Sequence, residues 1–200
     1  MDIEYKGANC VIVKSKKVML VIDPTENVKI GDGAIVIATQ AEFAPANAPF
    51  VIGSPGEYEV NDVSIQGIAV KKHIDPDGKN ATMYRIELDG TRLAVLGHIE
   101  APLSDDDLEA LGVIDIAIVP VGGGGYTLDA RDAAAVVRQL SPRAVIPTHY
   151  ADATTKYEVP QESVELFTKE MGAAHEKAAG TKIKNGALPE VLTIFELGKS

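Results

Sequence analysis

Two hundred residues with 29 acidic and 19 basic side chains carry a formal net charge of −10. Such a field repels a phosphate backbone and argues against a broad nucleic-acid-binding face. With 46% hydrophobic residues, no Trp and a single cysteine, Cys10, the chain is expected to form one α/β domain over residues 1–200, with a Val, Ile, Leu and Ala core and no intramolecular disulfide. No apolar run approaches the ~18 residues of a membrane span. The acidic start Met1-Asp2-Ile3-Glu4-Tyr5 lacks a signal-peptide layout, so the expectation is a cytoplasmic protein that neither crosses nor binds a membrane.

Asn9 to Lys14 and Val18 to Ile22 read as strands split by the polar turn Lys14-Ser15-Lys16-Lys17. Val18-Met19-Leu20-Val21-Ile22 is apolar throughout, which predicts a strand buried on both faces and therefore a covered sheet. Ala34 to Ala38 is similar, Ala44 to Pro49 is a loop, and Phe50-Val51-Ile52 runs into the turn cluster Gly53-Ser54-Pro55-Gly56. A meander follows. Val63, Ile65, Gly67 and Ala69 alternate with other residues, Asp75-Pro76-Asp77-Gly78 forms a turn, and Tyr84, Ile86 and Leu88 lead through the hairpin signal Asp89-Gly90 to the return strand Leu93 to Leu96.

The last part alternates strand and helix. A helix capped by Ser104 runs to about Leu111, its acidic first turn suiting the helix dipole. The strand Ile114 to Val119, the helix Asp129 to Leu140, the strand Ala144 to Pro147, the helix Gln161 to Met171 and the strand Val191 to Leu197 complete the chain. Doubly buried strands with late helices predict sheets sandwiched between helices.

Titratable residues recur where apolar strands stop: Asp23 after Ile22, Gln40 and Glu42 after Ala38, His73 after Val70, His98 after Leu96 and His149 after Pro147. In layered α/β folds ligands bind beyond the carboxyl ends of strands, so three histidines at such ends mark a candidate cleft. Each residue also has an ordinary explanation. A lone histidine is more often surface or satisfied, Asp23 before Pro24 suits a turn, and Asp75 sits in a turn sequence. His175 reads as solvated at a polar helix end, and Cys10 as a buried bystander. Gly122-Gly123-Gly124-Gly125 lacks the Lys-Ser/Thr ending of a phosphate loop; its glycines suit a close backbone passage beside the cleft.

With these residues assembled, the chain resembles the metallo-β-lactamase superfamily, and within it a short bacterial Zn-dependent hydrolase-like branch. The resemblance rests on Leu20-Val21-Ile22-Asp23-Pro24, the loop Ser54-Pro55-Gly56-Glu57-Tyr58-Glu59-Val60, Pro120-Val121-Gly122-Gly123, Tyr126-Thr127-Leu128-Asp129-Ala130 and Val145-Ile146-Pro147-Thr148-His149-Tyr150. It implies a four-layer αββα sandwich. It also implies a T-H-x-H-x-D-H metal motif, where this chain has Thr39-Gln40-Ala41-Glu42-Phe43-Ala44-Pro45. Gln40 and Glu42 stand at two histidine positions, Ala44 at the aspartate and Pro45 at the third histidine. Gly7-Ala8-Asn9 stands for Gly-His-Ser and Gly97-His98 for Gly-Asp, while His73 and His149 keep ligand positions.

Two-metal hydrolysis needs three or four protein ligands on each of two ions. The expectation is therefore a hydrolase-like protein that has lost most of its ligands, a non-catalytic binding or regulatory module for a small molecule or protein partner, holding no metal. The alternative is a hydrolase of small esters, lactones or phosphoesters with one Zn on His73, His98 and His149, and with Glu42 and Asp23 in catalytic roles. Gln40, Glu57, Gly122, Gly123 and Tyr126 are expected to line the cleft. Arg92, Lys71 and Lys72 are candidates to offset the acidic field there. A structural homo-oligomer subunit is the third reading.

Overall fold

A computed structural model describes residues 1–74, 78, 80–178, 181–182 and 187–200, the pair 181–182 as backbone only. Of the expected turn Asp75-Pro76-Asp77-Gly78, all but Gly78 lies outside the described residues.

The first sheet is built from β1 (Asp2–Gly7), β2 (Cys10–Lys14), β3 (Met19–Ile22), β4 (Ile35–Ile37) and β5 (Val51–Ile52). The second starts as an antiparallel meander of β6 (Gly56–Val60), β7 (Val63–Val70), β8 (Ala81–Leu88) and β9 (Thr91–Val95). It continues in parallel pairing through β10 (Ile116–Pro120), β11 (Ala144–Thr148) and β12 (Ala174–Ala178), between which run the helices α1 (Asp105–Leu111), α2 (Ala130–Leu140) and α3 (Val164–Met171). β13 (Thr181–Lys182) returns to the first sheet beside β1, and β14 (Thr193–Leu197) closes the second between β11 and β12. Among the described residues the orders are β13-β1-β2-β3-β4-β5 and β12-β14-β11-β10-β9-β8-β7-β6.

Strand residues alternate between faces, so each inner strand must satisfy two environments. Val11, Val13, Leu20, Ile22, Ile35 and Ile37 point into the main core shared with the second sheet. Cys10, Ile12, Val21, Ala34 and Val36 form a second cluster with Met19, Val28, Ile30, Ala48 and Val51. The all-apolar β3 is thus buried on both sides, as its sequence requires. The cover differs between the sheets. α2 and α3 pack together, with α2 against β10, whereas the second cluster under the first sheet is closed by residues of the 24–34 and 44–50 loops. The two sheets are also pinned by polar contacts. The Tyr84 hydroxyl, buried in β8, points at the carbonyls of Ala38 (2.9 Å) and Ile52 (3.3 Å) at the ends of β4 and β5.

Caps set the helix starts. Ser104 and Asp107 form a reciprocal capping box on α1, and the Asp129 carboxylate accepts from the N–H groups of Arg131 (2.9 Å) and Asp132 (2.8 Å) ahead of α2. Three expectations need correction. Gly56–Val60 is a strand, with Glu57 opposite Gln66, rather than a loop. The third helix begins at Val164, not Gln161. His175 sits in the edge strand β12 rather than at a helix end, and its Nε2 lies 2.8 Å from the Glu196 carboxylate on β14.

No helix among the described residues is long and apolar enough to cross a membrane.

Candidate functional site

The carboxyl ends of β3, β4, β9 and β11 converge, and the chain departs from regular conformation there. Asp23 follows β3 with φ +41°, His149 follows β11 with φ +50°, and Ala8 in the β1–β2 turn has φ +50°. Non-glycine residues in the left-handed region are costly and cluster where geometry serves a function. The turn and the strand end are locked together, because the His149 N–H donates to the Ala8 carbonyl at 2.7 Å. The hollow they frame has a volume of about 340 Å³ and is lined by Asp23, Glu42, Phe43, His98, Tyr126 and His149, with Asn9, Tyr157 and Gln161 among the others.

His98 and His149 meet edge to face, ring centroids 4.6 Å apart and planes at 88°. Tyr126 stands edge-on to His98 at 4.9 Å, and Tyr157 lies 4.9 Å from His149. Burial pushes the pKa of His98 well below its ordinary value, helped by neighbouring His149, Lys72 and His73. Burial lowers His149 too, against a raising contribution from Gln161. Both rings are therefore neutral near pH 7, and each has one nitrogen with a proton and one with a lone pair.

The partners fix which nitrogen is which. Gln161 donates its Nε2–H to the Val159 carbonyl (3.0 Å), so its Oε1 faces His149 Nδ1 at 3.0 Å and can only accept. His149 carries its proton on Nδ1, and its Nε2 lone pair has no protein partner among the described residues. On the other side Thr148 donates to Asn9 Oδ1 (3.2 Å), which turns Asn9 Nδ2 toward His98 Nε2 at 2.8 Å. His98 Nε2 thus accepts, and its Nδ1–H is buried beside the Tyr126 backbone without a well-formed hydrogen bond.

Two close approaches hold this arrangement. At Gly97 (φ +63°) an added Cβ would fall 2.6 Å from Thr39 Cβ, and at Gly122 it would fall 2.0 Å from the His149 carbonyl oxygen. The glycine run thus lets backbone pass beside the site, as its sequence suggests. Gly122 and Gly123 back the cleft rather than line it.

The other expected residues separate into two groups. His73 is attached to the pair through its backbone, its N–H donating to the His98 carbonyl (3.0 Å), while its Nδ1 is buried without a partner. Gln40 is buried with both amide atoms unpartnered and is not among the residues lining the cleft. Asp23 lines the cleft, but both its oxygens accept from Thr39. Glu42 is held by Lys72; burial alone would raise its pKa, yet that hydrogen bond leaves it lowered, which makes it a weak base. Glu57 lies away from the cleft, in a surface hollow with Tyr58 and Arg85, because Gly56–Val60 pairs as an edge strand. The cations expected to offset the field are already engaged: Lys72 by Glu42, Lys71 by Glu100 and Arg92 by Asp115. Asn9, Gln161 and Tyr157 were not singled out by the sequence as site residues.

The donor set does not fit the metals that the sequence resemblance implies. Among the described residues no three His, Cys, Asp or Glu side chains are arranged to hold an ion. The chemistry gives the reason: the Nε2 of His98 is spent on Asn9, and of the three histidines only His149 offers a lone pair toward the cleft.

A family model, the beta-lactamase superfamily domain, matches residues 2–149. The chain is 39% identical over 101 residues to a UPF0173 metal-dependent hydrolase of Thermococcus onnurineus, a match covering 48% of this chain and 44% of the relative. It is 38% identical over 101 residues, with the same coverages, to one of Pyrococcus furiosus. These matches span less than half the length of those relatives. Among solved structures, a Thermotoga maritima protein of the metallo-beta-lactamase superfamily, described as a candidate Zn-dependent hydrolase, superposes with a TM-score of 0.77 at 25% identity, covering 98% of this chain and 99% of that one. Igni18, a metallo hydrolase of Ignicoccus hospitalis, shares the fold at a TM-score of 0.64 and 19% identity, covering 98% and 95% of the two chains.

Proposed function

Because the chain belongs to the beta-lactamase superfamily, we propose that it is a hydrolase of small esters, lactones or phosphoesters, with His149 as the base that draws a proton from the attacking water. The observation that carries this is the state of His149: neutral, its Nδ1–H directed by Gln161, its Nε2 lone pair left to the cleft. A general base needs that combination of an available lone pair, a fixed ring and a protonation state suited to neutral pH. His98, edge-on to it, limits ring motion and closes the floor of the cleft. The metal-dependent hydrolase names of the relatives support hydrolysis over the non-catalytic module expected from the sequence, though not the metal-free route in particular.

The second reading is a single-zinc hydrolase on His73, His98 and His149. It is favoured by the metal-dependent hydrolase names of the relatives, and it requires the histidines to rearrange, since no three-ligand cluster is present among the described residues. One experiment separates the readings: hydrolysis of a panel of 4-nitrophenyl esters, lactones and phosphoesters by metal-analysed protein, with and without chelator, beside His149→Ala. Turnover that survives chelation and disappears in His149→Ala supports the base mechanism. Turnover that tracks one bound zinc per chain transfers the site to the metal reading. Absence of turnover under all conditions returns the cleft to a binding role.

A further inference from the structure

Beside the histidine cleft, of about 340 Å³, lies a larger hollow of about 670 Å³. Its walls come from the β1–β2 turn, the loop after β3, the loop after β11 and the stretch beyond β14. The two hollows share Ala8, Thr25, Glu26 and Lys156, so they adjoin along one rim.

In a chain of net charge −10, this second hollow is lined by four lysines, Lys6, Lys29, Lys156 and Lys199, against one acidic side chain, Glu26. Lys6 is engaged by Glu4 at 2.9 Å. Lys29, Lys156 and Lys199 have no ion-pair partner among the described residues, while most other lysines near carboxylates are paired. Lys199 Nζ donates to Thr155 Oγ1 (3.0 Å), while the Thr154 and Thr155 hydroxyls donate to the Asp152 carboxylate, so the side-chain donors left to the hollow are its ammonium groups. Unpaired ammonium groups gathered in a concavity attract an oxyanion even when the net field of the protein opposes it.

We infer that this lysine-lined hollow is the subsite for a carboxylate or phosphate group on the substrate, whose uncharged reactive bond lies in the adjoining histidine cleft. The substrate class is thus a small ester or lactone with an anionic tail. This rests on the reading of the histidine cleft as the reactive site, and Lys156, on the shared rim, stands between the two groups.

The test is equilibrium binding followed by amide NMR, titrating inorganic phosphate and, separately, acetate and succinate into the whole protein at low salt. The expected result is saturable shifts centred on Gly7, Thr154 and Thr155 for at least one anion, with affinity reduced at least tenfold in Lys29→Glu/Lys156→Glu. Both lysines are exposed and unpaired, so this variant keeps its fold, as an unchanged urea midpoint will verify. Phosphate alone, a carboxylate alone or both saturating distinguish which oxyanion is preferred. Diffuse, non-saturating shifts, or saturation that persists unchanged in the double variant, overturn the inference. The same titration on His149→Ala keeps the result independent of turnover, since anion binding persists there whether or not the cleft hydrolyses anything.

Discussion

Thr39 donates twice to Asp23, its N–H to Oδ1 and its hydroxyl to Oδ2, each at 2.7 Å, tying the end of β4 to the end of β3 at the rim of the cleft. Burial pushes the Asp23 carboxyl up to about 7 despite those two hydrogen bonds. An acid whose folded pKa lies above its unfolded value holds a proton in the native state that the unfolded chain releases. Its contribution to stability is full below about pH 4, declines as pH rises toward 7, and is flat above. Asn at this site cannot ionise, still accepts from the Thr39 N–H and tolerates the φ of +41°. Asp23→Asn is therefore expected to gain stability relative to the parent on going from pH 4 to pH 8, by about 4 kcal/mol. Urea midpoints across that range measure it. The depressed histidines act with the opposite sign below pH 6.5, but they are common to both proteins and drop out of the difference. A difference independent of pH would show that Asp23 titrates normally.

Much of the scaffold was legible because its signals are local. An all-apolar strand such as Met19–Ile22 has to be covered on both sides, and Ser104 caps the first helix as its position suggests. β12 was hidden because Ala174-His175-Glu176-Lys177-Ala178 is an exposed edge strand; pairing with β14, not an apolar pattern, makes it extended. The same division holds for the site. Histidines at strand ends pointed to the cleft, yet the groups that fix their protonation could not be found from spacing. Asn9 lies 89 residues from His98, and nothing in its sequence surroundings distinguishes Gln161. The lysine hollow draws on residues 6, 29, 156 and 199, which only the folded chain gathers, whereas Lys71, Lys72 and Arg92 looked available and are all paired.

The Gln161–His149 contact predicts a tunable base. Replacing the neutral acceptor by a carboxylate, Gln161→Glu, puts a negative charge about 3.0 Å from His149 Nδ1, and a nearby opposite charge favours the imidazolium. The His149 pKa, lowered by burial in the parent, is expected to rise by at least one unit, read from its ring-proton NMR titration. Hydrolysis near pH 6 is expected to fall as the base becomes protonated and to recover above pH 8. An unchanged titration would mean that Gln161 does not face Nδ1.

Gly122 tests how closely the glycine run packs on the site. A Cβ there would lie 2.0 Å from the His149 carbonyl oxygen and 2.5 Å from Gln161 Oε1. The side chain of Gln161 can turn away; the His149 backbone cannot, because its N–H is tied to Ala8 and Gly122 itself accepts from the Glu162 N–H at 2.7 Å. Gly122→Ala is expected to cost about 3 kcal/mol in chemical denaturation and to shift the His149 resonances. Gly125→Ala, with nothing within 4 Å but a φ of +72°, is the control: a smaller loss with the histidine signals unmoved. Equal effects at both positions would refute the close approach.

Arg92 separates structural cations from those that serve a ligand. Its Nε and Nη2 donate to the two oxygens of Asp115 at 2.8 and 2.9 Å, and its backbone N–H adds a third contact at 2.9 Å. This bidentate pair joins the starts of β9 and β10, whereas the cleft lies beyond their carboxyl ends. The Arg92 hydrogen bond holds the Asp115 carboxyl below its ordinary value, so the pair contributes stability above pH 4 and loses it as the carboxylate is protonated. Arg92→Ala is expected to cost about 1 kcal/mol at pH 7, discounted for the partial exposure of the guanidinium, and nearly nothing at pH 3. Urea titrations at the two pH values measure the difference. Phosphate and succinate titrations of this variant are expected to match the parent; a weakened anion affinity would show that Arg92 shapes the ligand field after all.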